Sequence, residues 1–207
     1  MRNLEPNTFS GMSKLEEVYL ENNELDSLHP RIFNGLASLK NVQLDFNNLA
    51  FLDPALLRGL LSLESFSAAS NKLMSLDSRF FEGLNQLRNL VLDKNELAVL
   101  SPKLLNGLSG LVYFSADTNH ITAIEAGTFD GLVSLSEVYL NDNRIVSINR
   151  NVFRGLSSLS RINLSNNPIS QLQAGFLMGL CAASQNCEVI LEWAFLIFSF
   201  IHLYSNK

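Results

Sequence analysis

The chain has 207 residues, 47% of them apolar, a formal net charge of −5 and a pI near 5.2. That much apolar content supports a large core and excludes general disorder, and the length suits one or two ordinary domains. The charge is interspersed and mildly acidic, without a basic stripe, which argues against nucleic acid as a partner. Two cysteines, Cys181 and Cys187, are too few for a disulfide framework. The opening "MRNLEPNTFSG" contains no apolar run of the secretory kind.

From the N-terminus onward the chain repeats. Leu4, Pro6 and Phe9 stand 24 residues before Leu28, Pro30 and Phe33, so the sequence opens inside a repeat whose strand is missing. The expectation taken from this is a fragment or an incomplete gene. In "LEEVYLENNEL", Leu15 to Leu25, the buried-type residues Val18 and Leu20 alternate with Tyr19 and Glu21. That alternation predicts a short strand with one buried face. Asn23 ends it, with an amide suited to backbone groups that a turn leaves unpaired. "HPRIFNGL" then sets Pro30 at the start and Gly35 at the end of a segment too short for more than about one turn of α or 3-10 helix. Phe33 should point inward.

The same arrangement returns at steps of 24: asparagines at 23, 47, 71, 95, 119, 143 and 167, and glycines from Gly11 to Gly179. A large apolar residue precedes each glycine by two: Phe9, Phe33, Leu57, Phe81, Leu105, Phe129, Phe153 and Leu177. One coil cannot bury its own apolar face, so the coils must stack. Seven strands spaced by about 4.8 Å predict a single parallel sheet about 29 Å long. The aligned asparagines should form an internal ladder.

The pattern L-x-x-L-x-L-x-x-N-x-L, seen in "LKNVQLDFNNL", "LRNLVLDKNEL" and "LSRINLSNNPI", resembles the leucine-rich repeat in its 24-residue extracellular form, over about Leu4 to Leu180. The resemblance implies an α/β fold: a curved right-handed leucine-rich repeat solenoid, with short parallel strands on the concave face and short helical or 3-10 turns on the convex face. It divides the chain into a solenoid at 1–180 and an apolar tail at 181–207. It also implies a non-catalytic module that binds a protein or other macromolecule, at the cell surface or outside the cell, as in Toll-type receptor ectodomains, Slit-like guidance proteins and matrix proteoglycans. A cytosolic scaffold or inhibitor of the same fold is the alternative.

The register holds to Gly179-Leu180 and breaks at Ala183, where leucine is expected. The 16 residues from Val189 to Tyr204 are nearly all apolar, interrupted by Glu192, Ser199 and His202; a spanning helix needs about 20. Three readings compete. The tail is a membrane anchor, or the processed tail of a lipid-anchored chain attached at Ala182, Ala183 or Ser184. Alternatively it is a helix covering the last coil, or it is non-native sequence. The family's C-terminal cap usually uses four cysteines, so Cys181 and Cys187 supply half that pattern. They either close a small disulfide loop or stay free thiols.

No catalytic constellation is present. His29, His120 and His202 stand apart, and there is no phosphate loop, G-x-S-x-G elbow or H-E-x-x-H pair. No enzyme activity, cofactor or metal is expected. The aligned Leu, Phe and Asn residues are scaffold, whereas the exposed strand positions are free to serve binding. The candidates are Glu17, Tyr19, Glu21, Asp45, Asp93, Lys94, Tyr113, Asp117, Glu137, Tyr139, Asn141 and Arg161. Tyrosine offers a large apolar body and a hydroxyl at low entropic cost, and acids around it favour a basic partner surface. The third coil is small there, with Ser65, Ser67 and Ala69. Glu17 and Tyr19 recur 120 residues later as Glu137 and Tyr139. Asn163-Leu164-Ser165 is an N-glycosylation acceptor pattern whose occupancy would obstruct the same face.

Overall fold

A computed structural model describes residues 1–172 and 187–191. Cys181 and all of the apolar run after Leu191 lie outside the described residues. Each coil contributes a three-residue strand whose central side chain is buried. In chain order these are β1 (Glu17–Tyr19), β2 (Asn41–Gln43), β3 (Ser65–Ser67), β4 (Asn89–Val91) and β5 (Tyr113–Ser115). After the two-residue β6 (Ala123–Ile124) come β7 (Glu137–Tyr139), β8 (Ser147–Ile148), β9 (Arg161–Asn163), β10 (Gln171–Leu172) and β11 (Glu188–Ile190).

The main sheet has eight parallel strands in the order β1-β2-β3-β4-β5-β7-β9-β11. Neighbours pair at the repeat step, Glu17 opposite Asn41 and Glu137 opposite Arg161. The last pair departs from it: Arg161 lies opposite Glu188, a step of 188 − 161 = 27 residues. Three inserted residues hid this strand from a search at steps of 24, and Val189 and Ile190, read as the start of the apolar tail, lie in the sheet.

Val18, Val42, Phe66, Leu90, Phe114, Val138 and Ile162 point from the strand centres into one continuous core. On the convex side the expected helical turn takes the form of successive tight turns. Ile32 N donates to His29 O (2.9 Å), Asn34 N to Arg31 O (3.0 Å) and Leu36 N to Phe33 O (3.2 Å). These bonds fall on alternate residues, and among the described residues no helix forms. Gly35 closes the run at φ +82°, a backbone conformation that strains any residue with a Cβ. The inward phenylalanines stack where two coils in succession supply one, Phe9 on Phe33 (6.1 Å) and Phe129 on Phe153 (5.4 Å).

The asparagines form the ladder. Asn95 Nδ2 donates to Leu92 O (3.1 Å) and Asp93 O (3.1 Å) in its own coil and to Ala68 O (2.9 Å) in the preceding one. Its Oδ1 accepts from Leu73 N (3.0 Å) of the preceding coil. Asn47, Asn71, Asn119, Asn143 and Asn167 repeat the pattern. The residue before each asparagine is left-handed: Asn22, Phe46, Ser70, Lys94, Thr118, Asp142 and Asn166 have φ between 51° and 56°. Most are small or polar, as that conformation prefers. Phe46 is the bulky exception, and it is 57% exposed.

A second parallel sheet, β10-β8-β6, was not expected from one strand per coil. It lies beyond the ladder in coils five to seven, where Ala123 pairs with Ser147 and Ser147 with Gln171. Those coils carry Ile121, Thr122, Ile124, Ile145, Val146, Ile148 and Ile169, whereas coils one to four have leucines at the matching buried positions, such as Leu49, Leu52, Leu97 and Leu100. β-Branched side chains favour the extended backbone, and the short strands follow them.

Two stability outcomes follow. Asn95→Ala leaves Leu73 N unpaired and takes one of two donors from each of Leu92 O, Ala68 O and Asp93 O, and urea unfolding should show a loss of about 2–4 kcal/mol. Phe46→Asn keeps the left-handed turn without the bulky Cβ substituent and should gain about 1 kcal/mol, read as a higher urea midpoint.

Candidate functional site

The side chains flanking each buried strand centre stand on the other face of the sheet, the concave one. They fall into two clusters of like chemistry, separated by coils in which Asp45 and Asp93 bond across to the next coil.

At the N-terminal end, the Tyr19 hydroxyl donates to Glu17 Oε2 (2.9 Å) and accepts from Asn41 Nδ2 (3.3 Å). Alternate strand residues share a face, so a glutamate and a tyrosine two apart can bond in this way. The bond to Glu17 is the main cause that raises the Tyr19 phenol above its ordinary pKa. Glu21 and Asn41 complete the group, and Glu21 Oε2 and Asn41 Oδ1 are shielded from solvent with no hydrogen-bond donor.

Near the other end, the Tyr139 hydroxyl donates to Glu137 Oε2 (2.7 Å) and accepts from an Arg161 guanidinium nitrogen (3.4 Å). The Tyr113 ring lies against it, centroids 5.3 Å apart. Burial raises both phenols. Arg161 also pairs with Glu188 (2.8 Å), which ties β11 to β9. Two residues beyond the paired Ser115 and Tyr139, Asp117 Oδ1 and Asn141 Oδ1 are again shielded and without a donor.

Between the clusters, Asp45 and Asp93 are turned to internal work. Asp45 Oδ1 accepts from Ser67 Oγ (2.5 Å) and Ala69 N (2.7 Å); Asp93 Oδ1 accepts from Ser115 Oγ (2.5 Å) and Asp117 N (3.0 Å). Each aspartate thus clamps the next coil. The signal for this was a step of 48 residues: Leu44-Asp45 with Phe66-Ser67-Ala68 recurs as Leu92-Asp93 with Phe114-Ser115-Ala116. Ser67, Ser115 and Asn41 are concave-face residues missing from the candidates.

Lys94 does not join either cluster. Its left-handed turn sets it on the sheet margin, where it lines a shallow depression of about 550 Å³ with Thr118, His120, Asp142 and Arg144. Asn163 Oδ1 accepts from Ser165 N (3.0 Å) and Ser165 Oγ (2.8 Å), so the acceptor tripeptide is folded on itself. Cys187 is disulfide-bonded. Among the described residues the ion pairs are Arg2–Glu24, Lys40–Glu16, Arg79–Asp77 and Arg161–Glu188. Glu17, Glu21, Asp45, Asp93, Asp117 and Glu137 take part in none of them.

Stacked coils that each add a strand to one sheet, locked by an internal asparagine ladder and presenting a polar parallel face, define a solenoid repeat protein. The profile described as leucine rich repeat matches residues 1–49, 37–97, 85–145 and 134–182, and the chain belongs to that family. No curated protein matches it by sequence. Among solved structures it is similar to the TLR13–ssRNA13 complex (TM-score 0.83, 23% identity), over 94% of this chain and 27% of that one. It is also similar to the Drosophila Toll–Spätzle complex (TM-score 0.73, 19% identity), over 92% of this chain and 28% of that one. Human 5T4, the Wnt-activated inhibitory factor 1 or trophoblast glycoprotein, aligns with TM-score 0.72 and 22% identity, over 93% of this chain and 74% of that one. At these identities the likeness shows the fold.

The TLR13 complex corrects one expectation. Its solenoid is bound to an RNA, so this fold gives no ground for excluding nucleic acid. What remains of that expectation rests on the acidic charge of this chain alone. Among the described residues no helix is long and apolar enough to cross a membrane.

Asp93 gives the face a pH signature. Burial, with the Asp117 charge beside it, pushes the Asp93 carboxyl up to about 6 from 3.8, against the opposing Ser115 hydrogen bond. A carboxyl whose pKa is higher in the folded state costs stability when ionised. The cost is fully present above pH 6 and is relieved as pH falls toward 4. Asp93→Asn should therefore raise stability by about 2–3 kcal/mol at pH 7. Urea titrations of both proteins should show that advantage shrinking by pH 4.5.

Proposed function

We propose that the chain is a non-catalytic protein-binding module, part of a secreted or cell-surface recognition, receptor or adhesion protein, and that it docks its partner on the concave sheet face. The observation that carries this reading is the division of labour within each strand. Core leucines and ladder asparagines meet the needs of the fold from one side. The other side carries Tyr19, Tyr113 and Tyr139 beside carboxylates that no ion pair neutralises. Tyr19 is 52% exposed although nothing in the ladder requires an aromatic there. A large exposed aromatic flanked by acceptors is the composition of an interface anchor.

The Toll–Spätzle complex, a solenoid bound to a protein, supports a macromolecular partner. The acidic face favours protein over nucleic acid, whose phosphates it would repel. The disulfide at Cys187 supports an oxidising compartment. Docking residues on this reading are Glu17, Tyr19, Glu21, Tyr113, Asp117, Glu137, Tyr139, Asn141 and Arg161, with Asp45 and Asp93 shaping the floor and Lys94 at the rim.

Replacing Tyr19, Tyr113 and Tyr139 together by alanine should weaken binding of a partner captured on the wild-type chain at least tenfold, or about 1.4 kcal/mol. Surface plasmon resonance reads the loss, and an unchanged urea midpoint shows that the fold is intact. Unchanged affinity would move the docking surface elsewhere.

A further inference from the structure

The two concave clusters share more than a dipeptide. Each holds a glutamate pinned by a tyrosine two residues on, Glu17–Tyr19 and Glu137–Tyr139. Each sets a second carboxylate two residues beyond the tyrosine's level in the sheet, Glu21 on its own coil and Asp117 on the preceding one, and among the described residues neither of these carboxylates pairs with a cation. Each adds an amide, Asn41 from the adjoining coil and Asn141 from the tyrosine's own coil. In both clusters the second carboxylate and the amide each keep a shielded oxygen that lacks a donor. With acceptors in excess and carboxylates unneutralised beside an aromatic ring, the composition suits the same group twice: one that brings several N–H donors, carries positive charge and lies flat on a ring.

A guanidinium meets all three demands. It has five N–H donors in a rigid plane and stacks on tyrosine. An apolar group would leave the acceptors unsatisfied, and an anion would add to charges already unneutralised. The one cation inside either cluster, Arg161, is committed to Tyr139 and Glu188.

The clusters have a fixed separation. From β1 to β7 the sheet order β1-β2-β3-β4-β5-β7 makes five steps, or about 24 Å at the spacing of neighbouring strands. The small side chains of Ser65, Ser67 and Ala69 leave room between them. An extended segment rises about 3.3 Å per residue, so some seven residues cover the gap.

We propose that the concave face is a bipartite receptor for a basic protein segment, one arginine seated at Tyr19–Glu21–Asn41 and a second at Tyr139–Asp117–Asn141. This rests on the concave-docking reading above and adds the chemistry and spacing of the partner.

The test uses rigid rulers. Peptides with an arginine pair at each end of a polyproline spacer, which rises about 3.1 Å per residue, are titrated into the full chain by calorimetry at low salt. A spacer of about seven prolines should bind at least tenfold tighter than one of about three or fourteen, because only it reaches both clusters. Replacing arginine by citrulline, which keeps the shape and removes the charge, should abolish binding. Glu21→Gln with Asp117→Asn should erase the length optimum, while Glu82→Gln on the convex side should leave it in place. Affinity that ignores spacer length, survives citrulline or survives the double variant would overturn the proposal. If the rulers fail while the triple tyrosine variant still loses a captured partner, concave docking stands and the paired-cation assignment falls.

Discussion

The asparagine ladder is the constraint on which the rest of the structure depends. A strand of three residues ends in a reversal that strips several backbone groups of their sheet partners. In a buried turn each such group costs about 1–3 kcal/mol if left unpaired. One side chain resolves this: Asn95 serves carbonyls of two coils and an N–H of the preceding one. An aspartate lacks the donors and a leucine lacks everything. To aim the amide inward, the residue before it must turn left-handed, and all seven such positions do so. The repeat length follows, since each asparagine must sit within reach of backbone exactly one coil back, and an added residue between strand and ladder would break that reach.

A scaffold satisfied from inside leaves its outer strand positions unconstrained, and this links the fold to the face. The strand centres and the leucine or alanine two residues on are buried, while their neighbours on the same strands include Tyr19 at 52% exposure and Ser115 at 1%. That spread is not random. Where Asp45 and Asp93 reach over to the serine of the next coil, the floor is closed and rigid. On either side of these clamps lie the tyrosine clusters. The clamps have an electrostatic cost, visible in the carboxyl of Asp93, and they hold the middle of the sheet in a shape that keeps the two ends apart.

The repeats, the ladder and the sheet direction were legible because they depend on identities recurring at one spacing. The strand β11 was not, because three inserted residues moved it off that spacing while its backbone still paired with β9. The second sheet was legible in principle: the change from Leu97 and Leu100 to Ile121 and Ile124 marks where it begins. It was missed because leucine and isoleucine count alike in a search for apolar positions, although only one of them is β-branched. The aspartate clamps were missed for another reason. Asp45 and Ser67 are 22 residues apart and become partners only after stacking sets one coil on the next.

The recurrence of glutamate and tyrosine in β1 and β7 shows what stacking adds to local sequence. Both pairs make the same bond, at 2.9 and 2.7 Å, because two residues of one strand suffice to make it. Their surroundings differ because neighbouring coils differ. Tyr19 has the amide of Asn41 beside it and stays open to water, with its hydroxyl perturbed mainly by its own glutamate. Tyr139 has Tyr113 against its ring and Arg161 at its hydroxyl, and burial dominates there. A partner meeting the first cluster must supply most of the ordering itself. At the second, the neighbouring ring and the Arg161–Glu188 pair have already fixed the tyrosine in place, so less side-chain entropy is left to lose on contact. On the proposed docking reading, equivalent chemistry at two sites with unequal pre-organisation makes the β5–β7 cluster the stronger anchor, because less entropy is lost there on contact.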